Sequence, residues 1–338
     1  MKKHLISPVI LVLASLSCGP LPDLRDLTDL DAYPPVLLTL EVTGEQQLRI
    51  AFDEACTFIE PPVIVPGLET VDLVYDDTGV VITFSAAQEP GKQYTLDGSV
   101  RDERGNSTDF IVHFYGYNPD VPLMVINEFT PRGSSTHPDL VELRALTAGN
   151  TAGMCFYEGT SLDWDHRYVL PPLEVKENSF ILLHIKPQGI SEEIDETLET
   201  DTSGGYDCHP EAFDLWVTGG TGLSGNNGVL SLYASPYGDL KDGVLYSNRT
   251  SSSDTTYRGF GMLKVLQRAE ELHRLAGWTA AGELIAPEDA VNPEGSTATR
   301  SICRRSTSED TNTAADWHIV PTGGYTFGEE NNDQVYTP

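Results

Sequence analysis

The sequence predicts an all-β protein of two tandem β-sandwiches, the second with insertions that include one amphipathic helix. Three observations predict it. Short runs of β-branched and aromatic residues, separated by Gly-, Pro- and Asp-bearing turns, recur through most of the chain; this is how strands with one buried face read. Tyr117–Pro122 (YNPDVP), with two prolines and few apolar residues, separates an N-terminal set of runs from a C-terminal set and reads as a linker. Helical spacing of apolar residues stands out in Gly261–Gly277. The 338 residues have room for two medium domains.

Charge narrows the partners. Lys and Arg total 21 against 51 Asp and Glu, a formal net charge of −30. Such a surface repels phosphate backbones, whose binding depends on cationic side chains releasing counterions, so nucleic acid is not expected as a partner. The acidity suits solubility and weak binding of divalent cations. No cofactor is expected, with calcium the one candidate ion.

The chain opens with Lys2 and Lys3, an apolar run over Leu5–Leu16, and then Ser17-Cys18-Gly19. A basic start, an apolar core too short to span a bilayer and a small residue before the cleavage point make residues 1–17 a secretory signal. Cys18, directly after that point, resembles the bacterial lipobox cysteine. The usual leucine three residues earlier is Ser15 here, with Leu16 beside it, the looser form of spirochaete-type lipoproteins. The resemblance implies that Cys18 is diacylated and becomes the first residue of a membrane-anchored chain. An ordinary signal peptide followed by an incidental cysteine is the alternative. Two or more acyl chains anchor stably, which implies the bacterial cell envelope, at the outer membrane or cell surface. Residues 18–33 then form the lipidated N-terminus and an acidic tether. Leu21, Leu24, Leu27 and Leu30 recur every third residue there, but the stretch is too short for a stable lone helix.

Residues 34–116 hold the first sandwich. Leu38–Val42, Leu48–Phe52, Val80–Phe84 and Phe110–Phe114 are strand-like runs, with turns at Thr43-Gly44-Glu45, Asp76–Gly79 and Glu89-Pro90-Gly91. The order Leu48–Ala55, Pro90–Leu96 and Val100–Asn106 resembles bacterial Ig-like domains of cell-surface proteins, with their I-x-F-(S/D)-E, P-G-x-x-Y-T and D-x-x-G-N motifs. Asp102 and Asn106 are candidate calcium ligands. They also suit a tight turn in which Gly105 takes φ > 0 and the Asx side chains cap backbone groups.

Residues 123–331 hold the second domain. Leu123–Leu146 reads as a strand ending in Ile126-Asn127-Glu128, a polar loop, and a strand carrying Asp139, Val141, Glu142 and Leu143. Thr151–Tyr157 and Tyr168–Leu170 continue the strands, and Ser179–Ile185 is the most apolar run, expected to be central. Ser224–Gly228 gives a tight turn into Val229–Tyr233, followed by Tyr237–Tyr246. The end is Thr299–Arg305, then Asp310, Asp316-Trp317 and Pro321–Gly324. The I-N-E start, the G-N-x-G-x-L-x-L and G-x-x-x-D-x-V-x-Y strands and the closing Arg and Asp-Trp resemble a lamin-tail domain, an Ig-like β-sandwich. One extra residue separates Asp310 from Asp316, Gly323-Gly324-Tyr325 stands where P-G is usual, and Asn331 comes late. The resemblance makes Glu128 and Glu142 framework residues; as paired acids they would have to meet across strands. Insertions are expected near 187–206, acidic and aperiodic, and 257–292. The second contains Met262, Val265, Leu266, Ala269, Leu272, Leu275 and Ala276 on one helical face and Gly277 as a stop. Such a face is expected to pack on its own domain. Residues 332–338 are expected to be a frayed tail.

Candidate chemistry is sparse. Asp163, Asp165 and His166 form the densest group of potential metal ligands, although the same residues suit a solvated loop with Trp164 packed inward. Gly220–Gly225 spells GxGxxG, but a dinucleotide site needs a following helix, and a turn and strand follow. Cys56, Cys155, Cys208 and Cys303 have no CxxC spacing. In an exported chain they are candidates for disulfides of unreadable pairing, or for buried thiols. The expected function is a non-enzymatic binding, adhesion or scaffolding module whose partner is a protein or an envelope or host polymer. The alternatives are a metal-assisted hydrolase using the Asp163–His166 stretch and a calcium-stiffened surface spacer.

Overall fold

The computed structural model describes residues 33–338. The signal, Cys18 and the tether up to Ala32 lie outside the described residues. The protein is all-β and sandwich-like, as its alternation predicts. The first domain contains β1 (Leu37–Gly44), β2 (Gln47–Phe52), β3 (Cys56–Phe58), β4 (Val63–Val65), β5 (Thr70–Tyr75), β6 (Gly79–Phe84), β7 (Gln93–Asp102) and β8 (Ser107–Tyr115). One sheet has the order β1-β2-β6-β5. The other is built on β7, which pairs with β8 and with the short β3 and β4. Alternate residues point inward: Leu48, Ile50 and Phe52 from β2 meet Val80, Ile82 and Phe84 from β6, and Tyr94, Leu96 and Phe114 from the opposite sheet. Each such buried side chain contributes about 1.5–3 kcal/mol. The Asp102–Asn106 stretch is the expected turn. Asp102 Oδ1 accepts the N–H groups of Arg104 and Asn106, Oδ2 accepts from the Asn106 amide, and Gly105 has φ +96°.

The second domain contains β9 (Met124–Thr130), β10 (Leu140–Ala145), β11 (Gly149–Asn150), β12 (Cys155–Gly159), β13 (Trp164–Val169), β14 (Glu174–Val175), β15 (Phe180–His184), β16 (Phe213–Trp216), β17 (Asn227–Tyr233), β18 (Leu240–Ser247), helix α1 (Leu263–Arg274), β19 (Ile302–Arg304) and β20 (Trp317–Ile319). A six-stranded sheet, β16-β15-β10-β9-β19-β20, faces a four-stranded sheet, β13-β12-β17-β18. Ile126, Val141, Leu143, Ile181 and Leu183 from the first meet Phe156, Leu230, Leu232 and Val244 from the second. The apolar 179–185 run is interior, as expected: β15 lies between β10 and β16.

The acidic stretch 187–206 has a topological cause. β15 and β16 are parallel, and parallel neighbours need a crossover of a dozen or more residues; residues 185–212 provide it. Glu196 anchors this crossover, buried and accepting the N–H groups of Thr202, Ser203 and Asp214.

Helix α1 lies on its own sandwich, burying Val265, Ala269 and Leu272. Gly277 does not supply the left-handed residue at its end. Ala276 does, at φ +59°, while Gly277 N–H bonds the Leu272 carbonyl and Ala276 N–H that of His273, a Schellman closure. Gly277 is needed for closeness instead: a Cβ there would come within 2.3 Å of Leu240. The 332–338 tail also departs from expectation, because it is not frayed. Tyr336 N–H bonds the Ile319 carbonyl, the Asn332 carbonyl lies 2.7 Å from His318 Nε2, and Arg300 stacks on the Tyr336 ring.

The two domains touch through backbone. A Cβ on Gly91 would lie 2.4 Å from the Gly153 nitrogen, so glycine at both positions allows the approach. The linker is fixed to the second domain, where the Asn118 amide donates to the carbonyls of Asn150 and Ala152.

Candidate functional site

A row of buried ionisable side chains of the second domain lies on the outer face of the six-stranded sheet. A β-bulge puts Glu128 there. Glu142 pairs with Glu128 and Leu143 with Ile126, leaving Asn127 as the extra residue. The inserted residue shifts the alternation, so Ile126 and Phe129 face the core while Glu128 points away beside Glu142. Cross-strand register extends the row over all six strands: Asp214, Leu182, Glu142, Glu128, Cys303 and His318. All six are buried, because the C-terminal segment and the crossover cover this face. Asp214 and His318 were not singled out in the sequence, and Cys303 was named there only as a disulfide or thiol candidate; strand alternation was the available signal, but β16, β19 and β20 are too short to show it.

The two glutamates hold the C-terminal segment. Glu128 accepts from the Ser301 hydroxyl and from the Thr326 N–H and hydroxyl. Glu142 accepts from Asn127 Nδ2 at 2.6 Å and from Gly328 N–H at 2.6 Å. Burial raises both carboxyls, and the charge of Glu128 raises Glu142 further. Adjacent buried carboxylates resist double ionisation, so the pair retains a proton above the usual carboxylate range. Burial, together with these two acids, pushes the Cys303 thiol up as well. It stays protonated and is a poor nucleophile.

Beside this row, residues from distant stretches meet at Arg304. Its guanidinium is buried and donates to Asp242 at 2.8 Å, to Asp310 at 3.1 Å and, through Nε, to the Ile126 carbonyl. Asp316 lies 3.6 Å away, and the Trp317 ring stacks 4.6 Å from the guanidinium carbon. Burial pushes Asp242 up to about 6 against the pull of Arg304, so it is ionised at neutral pH. The cluster ties β18, β19 and the β19–β20 connection together.

Asp163, Asp165 and His166 do not form the expected ligand set. Asp165 and His166 lie on β13 rather than in a loop, and adjacent strand residues face opposite ways. Asp163 and Asp165 take Arg268 of α1 at 2.8 Å each, and Asp165 also takes Lys264 at 2.8 Å. His166 Nδ1 instead lies 2.7 Å from Glu158. Trp164 is not packed inward: it is 40% exposed, against Tyr157 and Arg167. Cys56, Cys155, Cys208 and Cys303 are all free thiols, on or near four different strands, so the structure takes the thiol reading over disulfides. Gly220–Gly225 joins β16 to β17 with no helix after it. Its Gly222, at φ +97°, leaves room for the Asp139 carboxylate, which accepts from Leu223 N–H at 2.6 Å.

Among the described residues, one group of three metal-competent side chains does converge. His184, Cys208 and Asp214 offer ligand atoms all within 4.8 Å of one another. A second feature lies in the first domain, where β5 ends one sheet and β4 flanks β7 in the other. The stretch through these edges exposes Ile59, Val63, Val65, Val71, Val74 and Tyr75. Its parts are held together by the Tyr75 hydroxyl, which accepts from Phe58 N–H, and by an Ile64–Leu68 bridge.

Residues 122–319 match the model of the family described as the TP_1001 protein second domain, which is more than half of the chain. The chain belongs to this family. A relative in Treponema pallidum (strain Nichols), described as an uncharacterized protein, is 25% identical over 171 residues, covering 49% of this chain and 42% of that protein. The chain therefore spans less than half the length of this relative. The TP_1001 second-domain match starts at the linker and ends with β20. It includes the Arg304 cluster, the glutamate pair, α1 and the His184–Cys208–Asp214 group. The apolar edge of the first domain lies outside it.

Proposed function

We propose that this chain is a membrane-anchored cell-envelope lipoprotein, lipidated at Cys18, that acts as a non-enzymatic binding module. On this reading the first domain is Ig-like and the second is a lamin-tail-like frame. Glu128, Glu142 and Arg304 are spent on internal framework bonds, which suits a scaffold better than a reaction centre. The observation that carries the reading is the apolar edge at 59–75. An edge strand offers unpaired main-chain groups, and native proteins blunt such edges with charge or proline. Here Pro62 and Pro66 bracket β4 and Asp72 interrupts β5, yet the β-branched Val63, Val65, Val71 and Val74 remain exposed. That combination suits strand addition by an extended polypeptide, in which main-chain bonds give affinity and alternate side chains give specificity. The net charge of −30 favours a partner segment that also carries basic residues.

The test is cross-linking of the full chain in envelope preparations, comparing wild type with Val71→Lys combined with Val74→Lys. Both substitutions are at exposed positions and should leave the fold intact. A wild-type adduct through residues 59–75 that the double variant loses supports the reading; an identical adduct pattern, or none, overturns it. Anchoring is tested separately, since Cys18→Ala should release the protein from membranes, and retention in the membrane fraction would refute lipidation.

A further inference from the structure

We propose that His184, Cys208 and Asp214 form a site for one divalent transition metal of zinc's borderline-soft class, which would clip the 185–212 crossover to the six-stranded sheet. The residues come from two strands and the connection between them. His184 ends β15, and its register partner on parallel β16 is Trp216. Asp214 lies two residues before Trp216 and so faces the same side, diagonal to His184. His184 Nε2 and Asp214 Oδ1 are 2.7 Å apart. Cys208 descends from the crossover, its thiol against the Asp214 carboxyl and Ser203, and completes a group whose ligand atoms lie within 4.8 Å of one another.

The donor set selects the metal. One imidazole nitrogen, one thiolate and one carboxylate oxygen suit Zn²⁺, whereas calcium and magnesium take oxygen ligands. Bond lengths of about 2.0–2.3 Å in a tetrahedral site put ligand atoms roughly 3.4–3.8 Å apart. The cluster reaches that spacing if the 2.7 Å His184–Asp214 contact opens by less than about 1 Å and the thiol, within 4.8 Å of both, closes by no more than about 1 Å, the metal replacing the proton between histidine and aspartate. Supporting contacts are in place. Trp216 stacks on the His184 ring at 3.8 Å and fixes its plane. Asp214 Oδ2 accepts from His209 N–H at 3.1 Å, leaving Oδ1 toward the cluster. Ser203, beside the thiol, is held by Trp216 Nε1 at 2.9 Å. Outer contacts of this kind orient ligands and sustain affinity. Three protein ligands leave a fourth position for water. His184 and Asp214 are almost fully buried and Cys208 is half-buried, so the cluster is reached from the crossover side.

The full chain, stripped with chelator, is titrated with Co²⁺ and in parallel with Zn²⁺. We expect one Co²⁺ per chain with a thiolate-to-metal charge-transfer band and the strong visible absorption of tetrahedral cobalt, displaced by Zn²⁺. Zn²⁺ should also slow proteolysis within 187–206, a readout that surface binding would not give. Cys208→Ser should abolish the thiolate band and the protease protection. It replaces a half-buried side chain that is not part of the core, so the variant should fold, as circular dichroism would verify. Cys56→Ser, in the other domain, should retain both signals. Absence of bound metal, a cobalt spectrum without a thiolate band, or a band that survives Cys208→Ser would each overturn the site.

Discussion

At the scale of single residues, the glutamate pair is the feature with a measurable signature. Glu128 and Glu142 are in register, fully buried and raised above the ordinary value of 4.5 by burial. A carboxyl raised in the folded state favours folding while both states are protonated. That contribution is complete below the unfolded value and is lost as pH rises through the folded one. The pair should therefore make the protein less stable as pH climbs above the ordinary carboxyl value of 4.5. Glu142→Gln removes one titrating proton while keeping the shape, so its urea midpoint should fall less steeply over the same range. Parallel pH profiles for wild type and variant would show that the pair does not titrate as described.

At the scale of elements, α1 is held by an apolar face and by ion pairs along its flank. Leu272 is fully buried, and a Cβ added to Gly243 of β18 would sit 2.4 Å from its methyl group, so the helix rests directly on the strand. Leu272→Ala should cost about 2–5 kcal/mol through lost transfer energy and the cavity left behind, read as a change in unfolding free energy. A loss below about 0.5 kcal/mol, typical of surface substitutions, would mean that the helix is not docked. On its other flank, burial would raise Asp165, but hydrogen bonds from Arg268 and Lys264 hold it down at about 2. The sign here is opposite to that of the glutamates. This contribution is full above the ordinary value of 3.8 and drains away as pH falls toward 2. Protection of the α1 amides, taken relative to their intrinsic exchange rates at each pH, should fall over that acid interval in wild type, and Arg268→Ala should leave it low on both sides of it.

At the scale of the whole molecule, the junction rests on paired glycines. Gly91 and Gly153 both have positive φ, at +69° and +82°, and their backbones touch. Valine at Gly91 would strain its own turn and push the domains apart at once. Gly91→Val should enlarge the radius of gyration seen by small-angle scattering and expose 117–122 to protease, with β content by circular dichroism retained. An unchanged scattering profile would show that the glycines do not set the junction.

Local pattern alone determined much of this protein. Leu48–Phe52, Val80–Phe84 and Ser179–Ile185 declared their strands, Met262–Ala276 its helix and its buried face, and Asp102–Asn106 its turn, because each depends on neighbours within a few residues. The candidate sites were legible only in part. Asp163 and Asp165 stood close together in sequence, but their partners Lys264 and Arg268 lie about a hundred positions away, so a metal reading and an ion-pair reading looked alike. Asp214, Cys303 and His318 sit on strands of three or four residues, too short to display a period. A single bulged residue, Asn127, decided which face Glu128 takes. Tertiary structure alone decided that Glu128, Glu142 and Asp214 line a covered sheet face, that Arg304 gathers Asp242 and Asp310, and that His184, Cys208 and Asp214 meet. Cross-strand register and crossover path place these residues, and both are set by contacts between segments that sequence spacing does not encode.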